Sequence, residues 1–357
     1  GGSTTYGANL ESRELAFPHL LSSIGKVTNM AIRATGADYP STCTQSMLGD
    51  NERYDIILLE FSLNGTMGLE LLLKRLRKRF PDAIIIYVHL YNLSTQIRTE
   101  ENKTPHELKT RDKSIRWYWN KQKVIVDMYL VPHLNKEVGK VNGHVYELER
   151  QYPPLNGVDL FQEDWHHLSI KGHATVAQGI KKLLKELLPA YKALTPRQGS
   201  WDKGDECYSW FHTGDVSIDY SGKAVVKSFA EDKYSLEFHG NGTVTVINHK
   251  QHDIPMYVAF MSWLNNYPPT RFYFEDGSMQ LVDPRNTRVY GHIVRMDRIG
   301  TAQPGPNKIK IVPNPDKNLF KLPFRMTKIV MCDAGHYEIV NPALIMDGPD
   351  VRLRTNK

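Results

Sequence analysis

The chain has 357 residues, enough for two ordinary domains each with its own core. Apolar residues make up 41% and charged residues 24%, which excludes disorder as the default state, and no apolar run reaches the ~18 residues needed to cross a bilayer. A net charge of +6 suits an acidic polysaccharide, a membrane surface or nucleic acid without choosing among them.

In chain order, Gly1-Gly2-Ser3-Thr4-Thr5-Tyr6-Gly7 sets a serine on a glycine-flanked turn ahead of a helical pattern. Small neighbours let such a serine project its hydroxyl and backbone NH toward a substrate. Apolar runs at Val27–Ile32, Tyr54–Phe61, Ala83–Leu90 and Lys123–Tyr129 then alternate with amphipathic stretches near Glu11–Ile24, Ser41–Leu48, Gly68–Phe80 and Lys109–Lys121. Strands alternating with helices predict a parallel sheet covered on both faces, with reactive groups at the carboxyl ends of its strands. Such a sheet also predicts a buried strand ahead of Gly1, supplied by a longer chain. Gly36 and Asn64 fall just beyond the first and second runs. One offers a backbone NH with no side chain in the way, the other a carboxamide, the donors that a tetrahedral oxyanion needs. Asn64 also heads an Asn-Gly-Thr sequon, a reading incompatible with a buried oxyanion donor. Glu60, inside the second run, is a buried carboxylate in need of a partner.

The basic run Lys74-Arg75-Leu76-Arg77-Lys78-Arg79 reads as the solvated face of a surface helix. No stacking aromatics or recognition motif accompany it, so nucleic acid is not an expected partner.

Asp164-Trp165-His166-His167-Leu168-Ser169-Ile170-Lys171-Gly172-His173 is the most informative stretch. An Asp three residues before a His can hydrogen-bond across one turn, hold the imidazole in one tautomer and leave its other nitrogen to take a proton from a nucleophile. His166 is a rival base at a less suitable spacing, and His173 reads as a packing or capping residue. Three nearby histidines raise zinc, yet the i, i+4 pairing expected on a helix is missing, so neither metal nor cofactor is expected.

Ala174–Tyr191 makes an amphipathic closing helix, and Leu194–Ser200 has linker composition. The boundary is placed between residues 195 and 196. Beyond it, short alternating runs such as Tyr234–His239, Thr243–Ile247, Arg271–Glu275, Lys308–Val312 and Met326–Met331 lie between turn residues and predict an antiparallel β-sandwich over 196–357. Trp201, Tyr208, Trp210, Phe211, Trp263, Tyr267 and Tyr290 are candidates for a sugar-stacking surface or for its core. Cys43, Cys207 and Cys332 match no metal spacing; one disulfide plus a thiol, or three thiols, are both open. Sequons at Asn92, Asn102 and Asn241 lean toward a secreted protein.

Ser, Gly, Asn and Asp-x-x-His, in that order over residues 1–192, resemble the four blocks of the SGNH (GDSL-type) esterases and acyl hydrolases. The resemblance implies a three-layer α/β/α parallel sheet of flavodoxin-like type over 1–195, followed by a smaller antiparallel β-sandwich. It also implies Ser3 as nucleophile, His167 as base, Asp164 as its orienter, and the Ser3 NH, Gly36 and Asn64 as the oxyanion hole. Gly2 stands where the family has Asp, Ser62 and Gly65 where it has Gly and Asp, and Leu168 where Pro is common. The expected activity is ester hydrolysis through an acyl-enzyme, with O-acetyl groups on a glycan the substrate that best suits an accessory sandwich. The alternatives are a non-catalytic glycan-binding protein and an acyltransferase using the same triad.

Overall fold

The computed structural model describes residues 1–48, 52–61, 68–88, 160–164, 167–192, 199–201, 206–209, 218–230, 233–263, 266–285, 293–314 and 319–332. Contacts divide these into two compact units, one drawn from residues 1–37 and 47–201, the other from 38–46 and 202–343.

The first unit opens with the single-turn helix α1 (Ser3–Tyr6) and two 3-10 turns at Arg13–Leu15 and His19–Leu21. Its regular core is built by β1 (Ile56–Leu59), α3 (Leu69–Arg79), β2 (Ile84–Tyr87) and α4 (Ile170–Lys192), while α2 (Asp38–Leu48) groups largely with the second unit. Strands β1 and β2 pair in parallel, with Ile56 opposite Ile84 and Leu59 opposite Tyr87. Leu69, Leu72, Leu73 and Leu76 recur at helical spacing and turn one face of α3 into the core, where Val176, Ile180, Leu183 and Leu184 of α4 are buried with them. The basic run on α3 divides: Lys74 and Lys78 are exposed, but Arg75 and Arg79 are buried. Arg79 Nη1 donates to Gly199 O at 2.6 Å, and its guanidinium lies 5.6 Å from the Trp201 ring.

The expected three-layer parallel sheet is overturned. Parallel pairing among the described residues is confined to the four-residue strands β1 and β2, and most of the regular structure is one antiparallel sheet of nine strands. Val27–Ile32 forms no strand: the Asn29 side chain donates to Thr5 O and the Ile32 backbone amide to Gly1 O, which ties the run to the segment around Ser3. The predicted strand Lys123–Tyr129 and helix Lys109–Lys121 lie outside the described residues.

The second unit contains β3 (Glu206–Ser209), β4 (Asp219–Ala230), β5 (Lys233–Asn248), β6 (Ile254–Ser262), β7 (Thr270–Tyr273), β8 (Met279–Val282), β9 (Ile293–Ala302), β10 (Gly305–Pro313) and β11 (Phe324–Met331). They run in the order β8-β7-β10-β5-β11-β6-β9, with β3 added to β11 and β4 to β5. The sheet is nearly closed. Its two ends are tied where Ser262 Oγ donates to Pro284 O at 2.6 Å and Arg295 Nη1 to Asp283 O at 3.1 Å. Phe238, Phe260, Phe272 and Phe324 pack together in its core. Gly240-Asn241-Gly242, a turn by composition, instead lies within one continuous β5 as a bulge, with β4 pairing to Phe238 before it and to Gly242 at its end while His239, Gly240 and Asn241 are left out of the ladder. Of the three cysteines, Cys207 is disulfide-bonded and Cys332 is a buried thiol.

Lys328, fully buried on β11, donates from Nζ to Tyr39 O and Thr42 Oγ1, both at 2.8 Å, and lies 4.0 Å from the Tyr39 ring centroid. It pins the start of α2 to the sheet. Burial pushes the Asp38 carboxyl up to about 6, and the Lys328 ammonium pulls in the opposite direction. Lys328→Met would leave a buried carboxylate without its counter-charge and two acceptors without a donor. It is expected to destabilise the second unit by about 3 kcal/mol at pH 7 in urea unfolding, and adding Asp38→Asn should recover part of that loss.

Candidate active site

Gly2 precedes α1 in an extended conformation, and α1 ends where the Gly7 amide donates to Ser3 O and Thr4 O, both at 3.1 Å. One helical turn is too short to hold its own position, so side chains fix it. Thr5 Oγ1 donates to Glu60 Oε2 at 2.9 Å, with the Glu60 carboxylate buried directly after β1. Asn29 Nδ2 donates to Thr5 O at 3.0 Å, and the Ile32 amide reaches Gly1 O at 3.0 Å. Ser3, first residue of the turn, has an amide with no acceptor inside the helix, as any helix start does.

The Asp164 loop is a small antiparallel ladder. Ser169 N donates to Leu160 O at 3.0 Å, Gln162 N to His167 O at 2.8 Å, and Phe161 bridges Leu168. The Gln162 side chain extends this to the nucleophile turn: its Nε2 donates to Leu168 O at 2.8 Å and to Ala8 O at 3.0 Å. Ser169 Oγ accepts from the Gly172 amide at 3.1 Å and caps α4. Gly172 is needed for close approach, since a Cβ there would sit 2.1 Å from Leu160 O.

These supports bring Ser3, Asp164 and His167 together. His167 Nδ1 lies 2.6 Å from Asp164 Oδ2, the His167 amide donates to Asp164 Oδ1 at 2.9 Å, and His167 Nε2 lies 2.9 Å from Ser3 Oγ. With Nδ1–H donating to the carboxylate, Nε2 is the acceptor for the serine hydroxyl; this tautomer is assigned from the partners. Side-chain exposure is 17% for His167 and 39% for Asp164, so water screens the carboxylate and its orienting role outweighs its electrostatic one.

Gly36 is buried in the first unit, on the loop that Ile32 ties to Gly1, two residues after Ala34 at φ +66. A non-glycine residue in the left-handed region costs about 1 kcal/mol or more, a strain that clusters at functional loops. Asn64 and His166 lie outside the described residues. His173 packs as expected: it is buried, its Nδ1 accepts from Phe17 N at 3.1 Å, and its ring stacks on Phe17. Trp201 packs edge-on against Phe80, and Tyr267 is fully buried, so both serve cores rather than a sugar surface. Glu60, Gln162 and Gly172 are supports whose partners the sequence did not reveal. Among the described residues, no cluster of three or more His, Cys, Asp or Glu is arranged to hold a metal, and no helix is long and apolar enough to cross a membrane.

No protein-family model matches the chain, and no curated protein matches it. Solved structures similar in fold include two of a two-domain esterase active on acetylated mannans. One, co-crystallised with mannopentaose, shares 14% identity at a TM-score of 0.57, with 94% of this chain and 90% of that chain covered. The other shares 15% identity at the same TM-score, with 94% and 91% covered.

Gly172→Ala should displace Leu160 and, through the ladder, His167. Covalent labelling of Ser3 by a fluorophosphonate probe is expected to slow by about 100-fold, the usual effect of a misplacement near 1 Å, with far-UV circular dichroism unchanged. Gly25→Ala, whose Cβ would meet nothing within 4 Å, is the control expected to leave labelling unaltered.

Burial, reinforced by nearby His167, pushes the His173 pKa from 6.5 down to about 4. Between those values the unfolded chain binds the extra proton, so stability falls as pH drops from 6.5 toward about 4. The raised Asp38 acts with opposite sign, losing stability as pH rises through about 6. The comparison of wild type with His173→Gln by thermal unfolding isolates the histidine: the variant should lose the downward slope that His173 contributes.

Proposed function

We propose that the chain is a serine esterase with an SGNH-type active site, acting on O-acetyl groups of a glycan. The observation that carries this reading is the continuous relay from Asp164 Oδ2 through His167 to Ser3 Oγ, at 2.6 and 2.9 Å. Ser3 Oγ forms a bond to the ester carbonyl carbon as His167 Nε2 takes its proton. The Ser3 NH, the Gly36 NH and the Asn64 amide hold the oxyanion. Collapse breaks the carbon–oxygen bond to the alcohol, which leaves with the proton from His167, and water then cleaves the acyl-enzyme by the same steps in reverse. Asp164 keeps the imidazole in the reactive tautomer throughout.

The glycan half of the reading is supported by the likeness in fold to the esterase active on acetylated mannans. Catalysis is assigned to residues 1–195, and the antiparallel region 196–357 to an accessory role. The disulfide at Cys207 fits an oxidising, secretory setting.

Ser3→Ala is expected to lower p-nitrophenyl acetate turnover by about 10⁶-fold, and Asp164→Asn by a smaller factor near 10⁴, because an exposed orienter is partly replaced by water. Retained turnover in Ser3→Ala would sink the mechanism.

A further inference from the structure

In the second unit, one face of the sheet is solvent-facing along a row crossing five strands. Ser221 on β4 stands opposite Thr243 on β5, then Lys310 on β10, Tyr273 on β7 and Met279 on β8. Residues directly opposite one another share a face, so these side chains form a single stripe. The next row of the same face carries Asp219, Thr245 and Lys308. The other face belongs to the core, with Phe272, Ile309 and Ile311 fully buried.

The stripe is hollowed into a cavity of about 420 Å³ whose lining includes Asn241, Thr243, Tyr273, Glu275, Lys308 and Lys310. That volume lies in the range of small-ligand sites. One wall of the hollow is formed by Gly222, Asn241 and Gly242, where the pairing of β4 with β5 jumps from Gly222–Gly242 to Ala224–Phe238 and leaves His239, Gly240 and Asn241 of β5 opposite Lys223 alone. Bulges of this kind re-aim side chains and recur beside binding sites.

The chemistry of the lining is specific. Tyr273 is 37% exposed and offers a ring edge and face to an apolar ring surface. Asn241 and Thr243 supply neutral hydrogen-bonding groups. Lys308 and Lys310 are exposed on the same face, and neither ammonium has a carboxylate partner among the described residues. Glu275 instead accepts from the Lys308 backbone amide at 3.5 Å. An aromatic platform beside amide and hydroxyl groups suits a sugar ring, and two exposed ammonium groups that form no ion pair with the neighbouring Glu275 or Asp219 are placed to reach carboxylates on it.

We propose that this groove binds an acidic saccharide, with Tyr273 under a sugar ring and Lys308 and Lys310 on its uronate carboxylates. That the ligand is a saccharide rests on the esterase reading; the groove and its charge do not. The test is calorimetric titration of the full chain carrying Ser3→Ala with trigalacturonate and, separately, with neutral mannotriose. Trigalacturonate should bind, lose affinity as salt is raised, and weaken by about tenfold or more on adding Tyr273→Ala or the pair Lys308→Ala with Lys310→Ala. Mannotriose should show no binding that these substitutions alter. Absence of trigalacturonate binding, or binding indifferent to both changes, would overturn the site. Mannotriose binding that depends on Tyr273 but not on the lysines would overturn its acidic character. Failure of the esterase reading is distinguishable, because it leaves trigalacturonate binding intact while the parent chain turns over no ester.

Discussion

Two side chains 164 residues apart in sequence must meet at 2.9 Å, and that single constraint, between Ser3 Oγ and His167 Nε2, organises the first unit. Neither side chain sits on a long element. Ser3 begins a one-turn helix, and His167 stands on the short ladder that joins Leu160–Gln162 to His167–Ser169. Position is therefore fixed by directional polar contacts rather than by the bulk of a helix or sheet: Thr5 on Glu60, Asn29 on Thr5, and Gln162 spanning Ala8 and Leu168. Buried hydrogen bonds of this kind contribute modestly when made and cost more when left unmade, so each favours one arrangement of the turn over its neighbours.

The same logic recurs in the second unit with charge. Lys328 is surrounded by acceptors and by the Tyr39 ring, and Glu237, also buried, accepts from Arg325 Nε at 2.7 Å. Buried ions are poor sources of net stability but strong specifiers, because any other packing leaves them unpaired. The hydrophobic clusters supply the driving force for each unit, and the polar contacts select the geometry.

Much of this was legible in the residues where periodicity was strong. Gly68–Phe80 and Ala174–Tyr191 emerge as Leu69–Arg79 and Ile170–Lys192, since leucines at helical spacing leave one face no alternative to burial. The Asp164–His167 pair was readable because it is local, three residues apart on one turn. Alternation of apolar runs with helical stretches misled at the level of fold. Val27–Ile32 has the composition of a strand, but the Asn29 side chain bonds to Thr5 O and the Ile32 amide to Gly1 O, and a run of β-like residues cannot reveal that a distant segment will claim these groups. Glu60 and Gln162 were silent for the same reason, their partners lying 55 and 154 residues away. The turn-like Gly240-Asn241-Gly242 became a bulge inside β5, because β4 pairs with the chain before and after it and carries the strand across.

The central claim is that Ser3 is made nucleophilic by His167. Treatment of the folded chain with a fluorophosphonate probe, with the adduct mapped by mass spectrometry, tests it most directly. The account requires a covalent adduct on Ser3 that disappears in His167→Ala; a folded chain left unlabelled, or one labelled equally well without His167, would contradict it.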